Sequence, residues 1–203
     1  MAKYGLLIDF DRCQGCNACE VACKQENELP VGPRLKQVLT LGPEKVGPRL
    51  MMEYLPVMCL HCENPPCAAA CPVGAIIKDT HGITLVNQKK CHDTDKDWCQ
   101  KACIPACPYP VPPQYNPEKD IVQMCNMCIQ RINVGEEPSC VKHCINKVIT
   151  FGTIKELSKI IQERGNRTIT VGGILPNVVC RPSVMHIPAK RPYTLSSSLA
   201  TKK

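Results

Sequence analysis

The sequence predicts an α+β fold of two small modules, one inserted in the other, with long loops and an extended C-terminal arm. Three observations predict it. Of 203 residues, 17 are cysteine, and all but one fall into four groups of four. The stretch after each group reads as a short helix or strand, so one unit recurs along the chain. The core is also thin in aromatics, with 1 Trp, 5 Tyr and 2 Phe, so something besides ring packing has to hold it.

The first group is Cys13-x2-Cys16-x2-Cys19-x3-Cys23, and the second is Cys59-x2-Cys62-x4-Cys67-x3-Cys71-Pro72. The third is Cys91-x7-Cys99-x3-Cys103-x3-Cys107-Pro108, and the fourth is Cys125-x2-Cys128-x11-Cys140-x3-Cys144. The first spacing is that of a bacterial ferredoxin [4Fe–4S] run. A cubane needs thiolates on separate iron corners, and a tight loop with two-residue spacers wraps three of them. The fourth cysteine follows on a short helix pointing away, and reaches the companion cluster of a two-cluster module. Gly15 suits a turn where backbone crowds the cluster. Groups two and three lie close together and both end in Cys-Pro, so they pair; groups one and four then pair around them. The expected organisation is an outer ferredoxin-like module at 1–55 plus 119–170, an inner one at 56–118, and an arm at 171–203.

The elements follow in order. Tyr4–Asp9 reads as a strand before the first group, and 17–26 as a helix carrying Cys19 and Cys23. Pro30 to Pro56 is rich in Pro and Gly and reads as an extended or hairpin excursion. Ala75 to Ile77 leads through the Asp79–Gly82 turn into a strand at Ile83–Val86. Pro108 to Pro117 is a rigid connector. Ile121–Met124 reads as a strand entering the fourth group, and Val148–Phe151 as another. Thr153 opens a helix with a capping box to Glu156. Ile154, Leu157, Ile160 and Ile161 give that helix one apolar face, and Gly165 can end it. From Pro176 the tail reads as an arm on a partner or as disorder.

Composition excludes several classes. The formal charge of +7 looks basic, but four clusters, each about −2 with its thiolates, bring the total to roughly −1. No Lys/Arg stripe with interleaved aromatics exists, so nucleic acid is not expected as a partner. Zinc favours two separated pairs around one ion, which the fourth group alone would fit; the other groups are too dense. A disulfide scaffold suits a small secreted chain, not an odd cysteine count without a signal. No Cys-x-x-Cys-His occurs, so c-type haem is excluded. No apolar run reaches the roughly 18 residues of a membrane helix. Met1 to Asp9 is too short and polar for an export signal, so a cytoplasmic location is expected over export bound to a signal-bearing partner.

The chain resembles the iron–sulfur (beta) subunit of the DMSO reductase family of molybdenum or tungsten bis-pterin oxidoreductases. It is similar also to the polysulfide, arsenate and nitrate reductase electron-transfer subunits and to the transhydroxylase small subunit. The resemblance spans about residues 4–165 and rests on Ile8-Asp-Phe-Asp-Arg-Cys13-Gln-Gly-Cys16-Asn-Ala-Cys19-Glu-Val-Ala-Cys23, Cys59-Leu-His-Cys62-Glu-Asn-Pro-Pro-Cys67, Cys107-Pro-Tyr and Cys125-Asn-Met-Cys128. It implies four [4Fe–4S] clusters. Cys13, Cys16, Cys19 and Cys144 would hold the first, and Cys125, Cys128, Cys140 and Cys23 the second. Cys59, Cys62, Cys67 and Cys107 would hold the third, and Cys91, Cys99, Cys103 and Cys71 the fourth. It further implies that the first cluster faces a large catalytic Mo/W-pterin subunit. The inner module then lies at the far end, toward a membrane anchor or soluble carrier. Two departures stand out. The loop His92-Asp-Thr-Asp-Lys-Asp-Trp98 widens the third group, so Cys91 is the least secure ligand and His92 or an Asp its rival. Ile145 follows Cys144 where the family usually has Pro.

The expected function is therefore electron relay by a non-catalytic subunit in an anaerobic, heteromeric oxidoreductase; no catalytic residue is assigned. A free-standing polyferredoxin is the rival, though a carrier gains little from the 30–56 excursion and the arm. The partner is otherwise a tungsten aldehyde oxidoreductase, a formate dehydrogenase or a hydrogenase. Lys24, Lys101, Lys142 and Arg131 lie near ligands and are candidates to raise a potential; for each, a solvated surface role is the more ordinary expectation. The acidic 92–98 loop would oppose reduction of an adjacent cluster. His61 and His143 are expected to be structural or sulfur-bonding. Trp98 is expected to pack, and Cys180 to be a free buried thiol.

Overall fold

The computed structural model describes residues 4–46, 48–163 and 184–187. In chain order, β1 (Tyr4–Asp9) passes through a 3-10 turn (Phe10–Arg12) to α1 (Ala18–Glu26). The strands β2 (Lys36–Val46) and β3 (Arg49–Met58), the short α2 (Pro66–Ala69), and the strands β4 (Ile76–Lys78) and β5 (Thr84–Val86) follow. After α3 (Gln88–His92) and α4 (Lys96–Cys99) come β6 (Gln114–Asn116), β7 (Ile121–Gln123), α5 (Ile129–Ile132) and α6 (Ser139–Lys142). The described residues end with β8 (Ile149–Thr153), α7 (Ile154–Glu163) and β9 (Val184–Ile187).

β1 is the middle of a three-stranded sheet ordered β8-β1-β9. Its run Leu6, Leu7 and Ile8 is at most 2% exposed, as a strand covered on both faces requires. It pairs antiparallel with β8, Tyr4 opposite Thr153 and Ile8 opposite Ile149. It pairs in parallel with β9, Leu6 opposite Val184. The chain around the first cysteine group thus meets the chain around the fourth. α1 packs on α6, and Ser139 Oγ donates to the Ala22 carbonyl at 3.3 Å.

The Pro/Gly-rich excursion is a long antiparallel hairpin of β2 and β3, with a register shift between Leu41 and Glu44. Gly42 occupies that bulge at φ +96, and a Cβ there would meet the Met51 carbonyl at 2.6 Å. Glu20 of α1 anchors the hairpin. Its buried carboxylate accepts from Arg34 Nη2 at 2.6 Å and from the Val38 amide. The stretch from 66 to 124 forms two further hairpins, β4–β5 and β6–β7. Cys67, Ile76, Cys103, Val122 and Met124 make its core. A larger core holds Leu6, Ile8 and Val148 together with Leu60, Ile83 and Tyr109, so both halves share it.

The capping box forms as expected. Thr153 N–H donates to Glu156 Oε2 at 2.8 Å, and Glu156 N–H donates to Thr153 Oγ1 at 3.3 Å, an arrangement worth about 1 kcal/mol. Leu157 and Ile161 of α7 bury against Leu7. Two expectations are corrected. Trp98 does not pack: it is 64% exposed, because the single-turn α4 directs it to solvent. Residues 184–187 of the tail are not free: β1 offers them an unpaired edge, and they take it as β9. Cys180 and Gly165 lie outside the described residues. Among the described residues, no helix is long and apolar enough to cross a membrane.

Candidate iron–sulfur sites

Among the described residues, the sixteen grouped cysteines form no disulfides. Their electrostatic neighbours sort them. Burial pushes the Cys13 thiol up, and Cys144 and Cys16 push it further. Burial lifts Cys19 to about 11 against the Lys36 ammonium, with Cys140, Cys144 and Cys13 adding to the rise. Cys23 reaches about 12 through burial and the nearby Cys140 and Cys128, not through its sequence neighbour Cys19 first. Burial pushes the Cys59 thiol up, the His61 amide opposes this, and Cys67, Cys62 and Cys107 add to the rise. Cys103, at about 12, is raised by burial, then by Cys71, Cys67 and Cys91.

Several neighbour relations run between cysteines far apart in sequence. Cys19 senses Cys140, Cys125 senses Cys59, and Cys103 senses Cys67. Among the described residues, no three His, Cys, Asp or Glu side chains close on a single ion.

Hydrogen bonds to sulfur recur at matching places. Amides of His61 and Met127 donate to Cys59 Sγ and Cys125 Sγ, both at 3.4 Å and both from two residues on. Amides of Ala75 and Val148 donate to Cys71 Sγ at 3.3 Å and Cys144 Sγ at 3.2 Å, both from four residues on and both just before a strand. Asn27 Nδ2 lies 3.6 Å from Cys23 Sγ. Such donors stabilise sulfur that carries negative charge, and so fit thiolates rather than thiols. His61 and Met127 both hold positive φ, at 48 and 54, which turns each loop inward over its cysteine pair. In the first loop Gly15 does this at φ +70, with the Tyr54 ring of β3 lying across it. Cys16 beside it is exposed.

The cations near the cysteines resolve into separate roles. Lys24 Nζ donates to the carbonyls of Pro30 and Pro33 at 2.7 and 2.9 Å, tying down the approach to β2. Lys101 sits over the Tyr115 ring at 4.8 Å, and Lys142 is exposed. Arg131 bridges Glu26 at 3.1 Å and Glu136. His61 is structural: its Nδ1 accepts from the Thr84 amide at 3.1 Å, and burial followed by the Lys78 charge pushes it down to about 3. His143 Nδ1 lies 2.9 Å from the Ser139 carbonyl. In the widened third group, Lys96 Nζ gathers the carbonyls of Cys91 and Thr94, both at 2.6 Å. His92 Nδ1 lies 3.3 Å from Asp93 Oδ1. One further residue was missed by sequence reasoning. Lys36 is 2% exposed and lowers the pKa of Cys13, Cys19, Cys23 and Cys140. No spacing rule marks it, since a lysine opening a Pro/Gly-rich loop reads as solvated.

Two family models match, each described as a 4Fe-4S dicluster domain, over residues 12–75 and 50–154. The chain is 38% identical over 157 residues to the thiosulfate reductase electron transfer subunit of Salmonella typhi, covering 76% of this chain and 78% of that one. It is 34% identical over 164 residues to a chain of the anaerobic dimethyl sulfoxide reductase of Escherichia coli, covering 77% of each. It is also 34% identical over 155 residues to a subunit of the tetrathionate reductase of Salmonella typhimurium, covering 76% of this chain and 59% of that one.

Proposed function

Because the chain belongs to the iron–sulfur electron-transfer subunits of the DMSO reductase family, we propose that its four [4Fe–4S] clusters form one linear relay feeding a Mo- or W-bis-pterin catalytic subunit. The chain itself is non-catalytic. The neighbours of three thiols carry this reading: Cys19 lies near Cys140, Cys125 near Cys59 and Cys103 near Cys67, which links the proposed sets in sequence. Bound clusters would each take up and release one electron.

The ligand sets we propose are Cys13, Cys16, Cys19 and Cys144; then Cys23, Cys125, Cys128 and Cys140; then Cys59, Cys62, Cys67 and Cys107; and last Cys71, Cys91, Cys99 and Cys103. The fourth cysteine of each group crosses to the companion set, as a ferredoxin-like pair does. The antiparallel pairing of β1 with β8 supports an outer module made from both ends of the chain, near 1–55 plus 119–170, with 56–118 inserted, while the β6–β7 hairpin and the packing of Val122 and Met124 carry the inner module a few residues past 118. The exposed Cys16 loop, under Tyr54, is the end we assign to the catalytic partner. The protein's own part is to hold potentials and distances: amides on sulfur, buried charge, and apolar walls that keep water from the thiols.

The test is anaerobic isolation from the native source with whatever co-purifies. About 16 Fe on this chain, and about one Mo or W on a large partner, is the expected result. Assay of that complex with dimethyl sulfoxide, thiosulfate and tetrathionate then identifies the acceptor. Iron without Mo, W or a large partner would make the chain a free carrier and overturn the proposal.

A further inference from the structure

Lys36 opens β2 directly opposite Met58, the residue before Cys59. Glu20 brackets it, holding Arg34 on one side and the Val38 amide on the other. The backbone at 36 is thereby fixed to α1, the helix carrying Cys19 and Cys23. The Lys36 side chain closes a narrow cavity lined by Cys23, Cys125, Cys128 and Cys140. Its Nζ lies 3.6 Å from Met58 Sδ, a weak acceptor. Among the described residues, no carboxylate forms an ion pair with it. A buried ammonium without a counter-charge is strongly unfavourable. The counter-charge must therefore come from the thiolates and what they hold.

We propose that Lys36 is a positioning and tuning residue whose fixed positive charge is shared by the first two clusters, those of Cys13, Cys16, Cys19 and Cys144 and of Cys23, Cys125, Cys128 and Cys140. This rests on the relay reading above. Adding one electron from the donor takes a cluster with its four thiolates from about −2 to about −3, with no proton needed. A buried +1 stabilises the more negative state more, so Lys36 raises both potentials. Electrons then settle at the outer end of the relay, next to Tyr54 and Cys16, before they leave. Surface lysines do little of this, because water and salt screen them.

The test uses the full complex carrying Lys36→Met, Lys36→Gln or Lys36→Arg, with EPR-monitored potentiometric titration and iron counts. In the neutral variants, two of the four midpoint potentials are expected to fall. Each fall should match at least a tenfold change in the reduction equilibrium, about 59 mV for one electron. Lys36→Arg should restore both. If the neutral variants instead lose the iron of two clusters while Lys36→Arg keeps it, the charge is still shown to be what those clusters require. Four unchanged potentials at full iron, shifts confined to the inner clusters, or equal iron loss in all three variants would sink the proposal. Failure of the relay reading looks different, since the wild-type complex itself would then lack four one-electron signals.

Discussion

The Val122 amide donates to Cys91 Sγ at 3.2 Å, from 31 residues further along the chain. Cys91 is also a charge neighbour of Cys103. The widened third group thus keeps its first cysteine beside the others, with the insertion bulging outward. Cys91→Ala is expected to lower iron by roughly one to four atoms per chain, while His92→Ala leaves the count unchanged. Iron analysis of both variants checks this; the reverse pattern would make His92 the ligand.

Gly15 carries a φ of +70, and a Cβ there would lie 2.5 Å from the Tyr54 ring. Gly15→Ala costs about 1 kcal/mol for the left-handed backbone alone and must also push Tyr54 aside. We expect a lower thermal midpoint and a perturbed spectrum for the first cluster. Adding Tyr54→Ala should remove the clash but not the backbone cost, so the double variant recovers only part of the loss.

His61 offers a pH test with a defined sign. Unfolded, its imidazole takes a proton near its ordinary value of 6.5; folded, it resists until about 3, chiefly through burial. The folded state therefore holds fewer protons between these values, and its stability falls as pH drops below 6.5. Thermal unfolding of wild type and His61→Asn at about pH 7 and about pH 5 should show a steeper loss in the wild type. Parallel losses would remove His61 from the acid response.

The acidic insertion should hold down the potential of the fourth cluster. Asp97→Asn is expected to raise it, by an amount that shrinks as salt is added. Asp93→Asn should do less, because Lys89 Nζ already sits 2.5 Å from that carboxylate. Asp95 has a different job: it caps α4, accepting from the amides of Asp97 and Trp98 at 2.8 and 3.1 Å. Asp95→Ala costs about 1 kcal/mol, whereas Asp95→Asn keeps the cap. Potentiometric titration at low and high salt separates these outcomes.

The cysteine groups were legible because ligand chemistry is written in local spacing. Tyr4–Asp9 was legible as an apolar run, and the Thr153–Glu156 box as a local hydrogen-bond motif. The long hairpin was legible as one of two readings, extended or hairpin, because Gly42, Pro43 and Pro56 interrupt its strands and local sequence does not fix their pairing. β9 was hidden for a related reason: a Pro-rich tail gives no sign that β1 has a free edge. Trp98 and Lys36 reversed their types, the aromatic exposed and the cation buried. Each position is decided by what surrounds it in space, and composition carries no record of that.

The pairing of β1 with β8 also sets an order of assembly. The partners Tyr4 and Thr153 are 149 positions apart, and a ribosome adding about 5–20 residues per second needs on the order of ten seconds or more to cover that gap. Through that interval Cys13, Cys16 and Cys19 have emerged while Cys144 has not. The hairpins β4–β5 and β6–β7 close within a few residues and need no such wait. The molecule is completed from the inside outward, and the sheet that joins its two ends is the last part to be sealed.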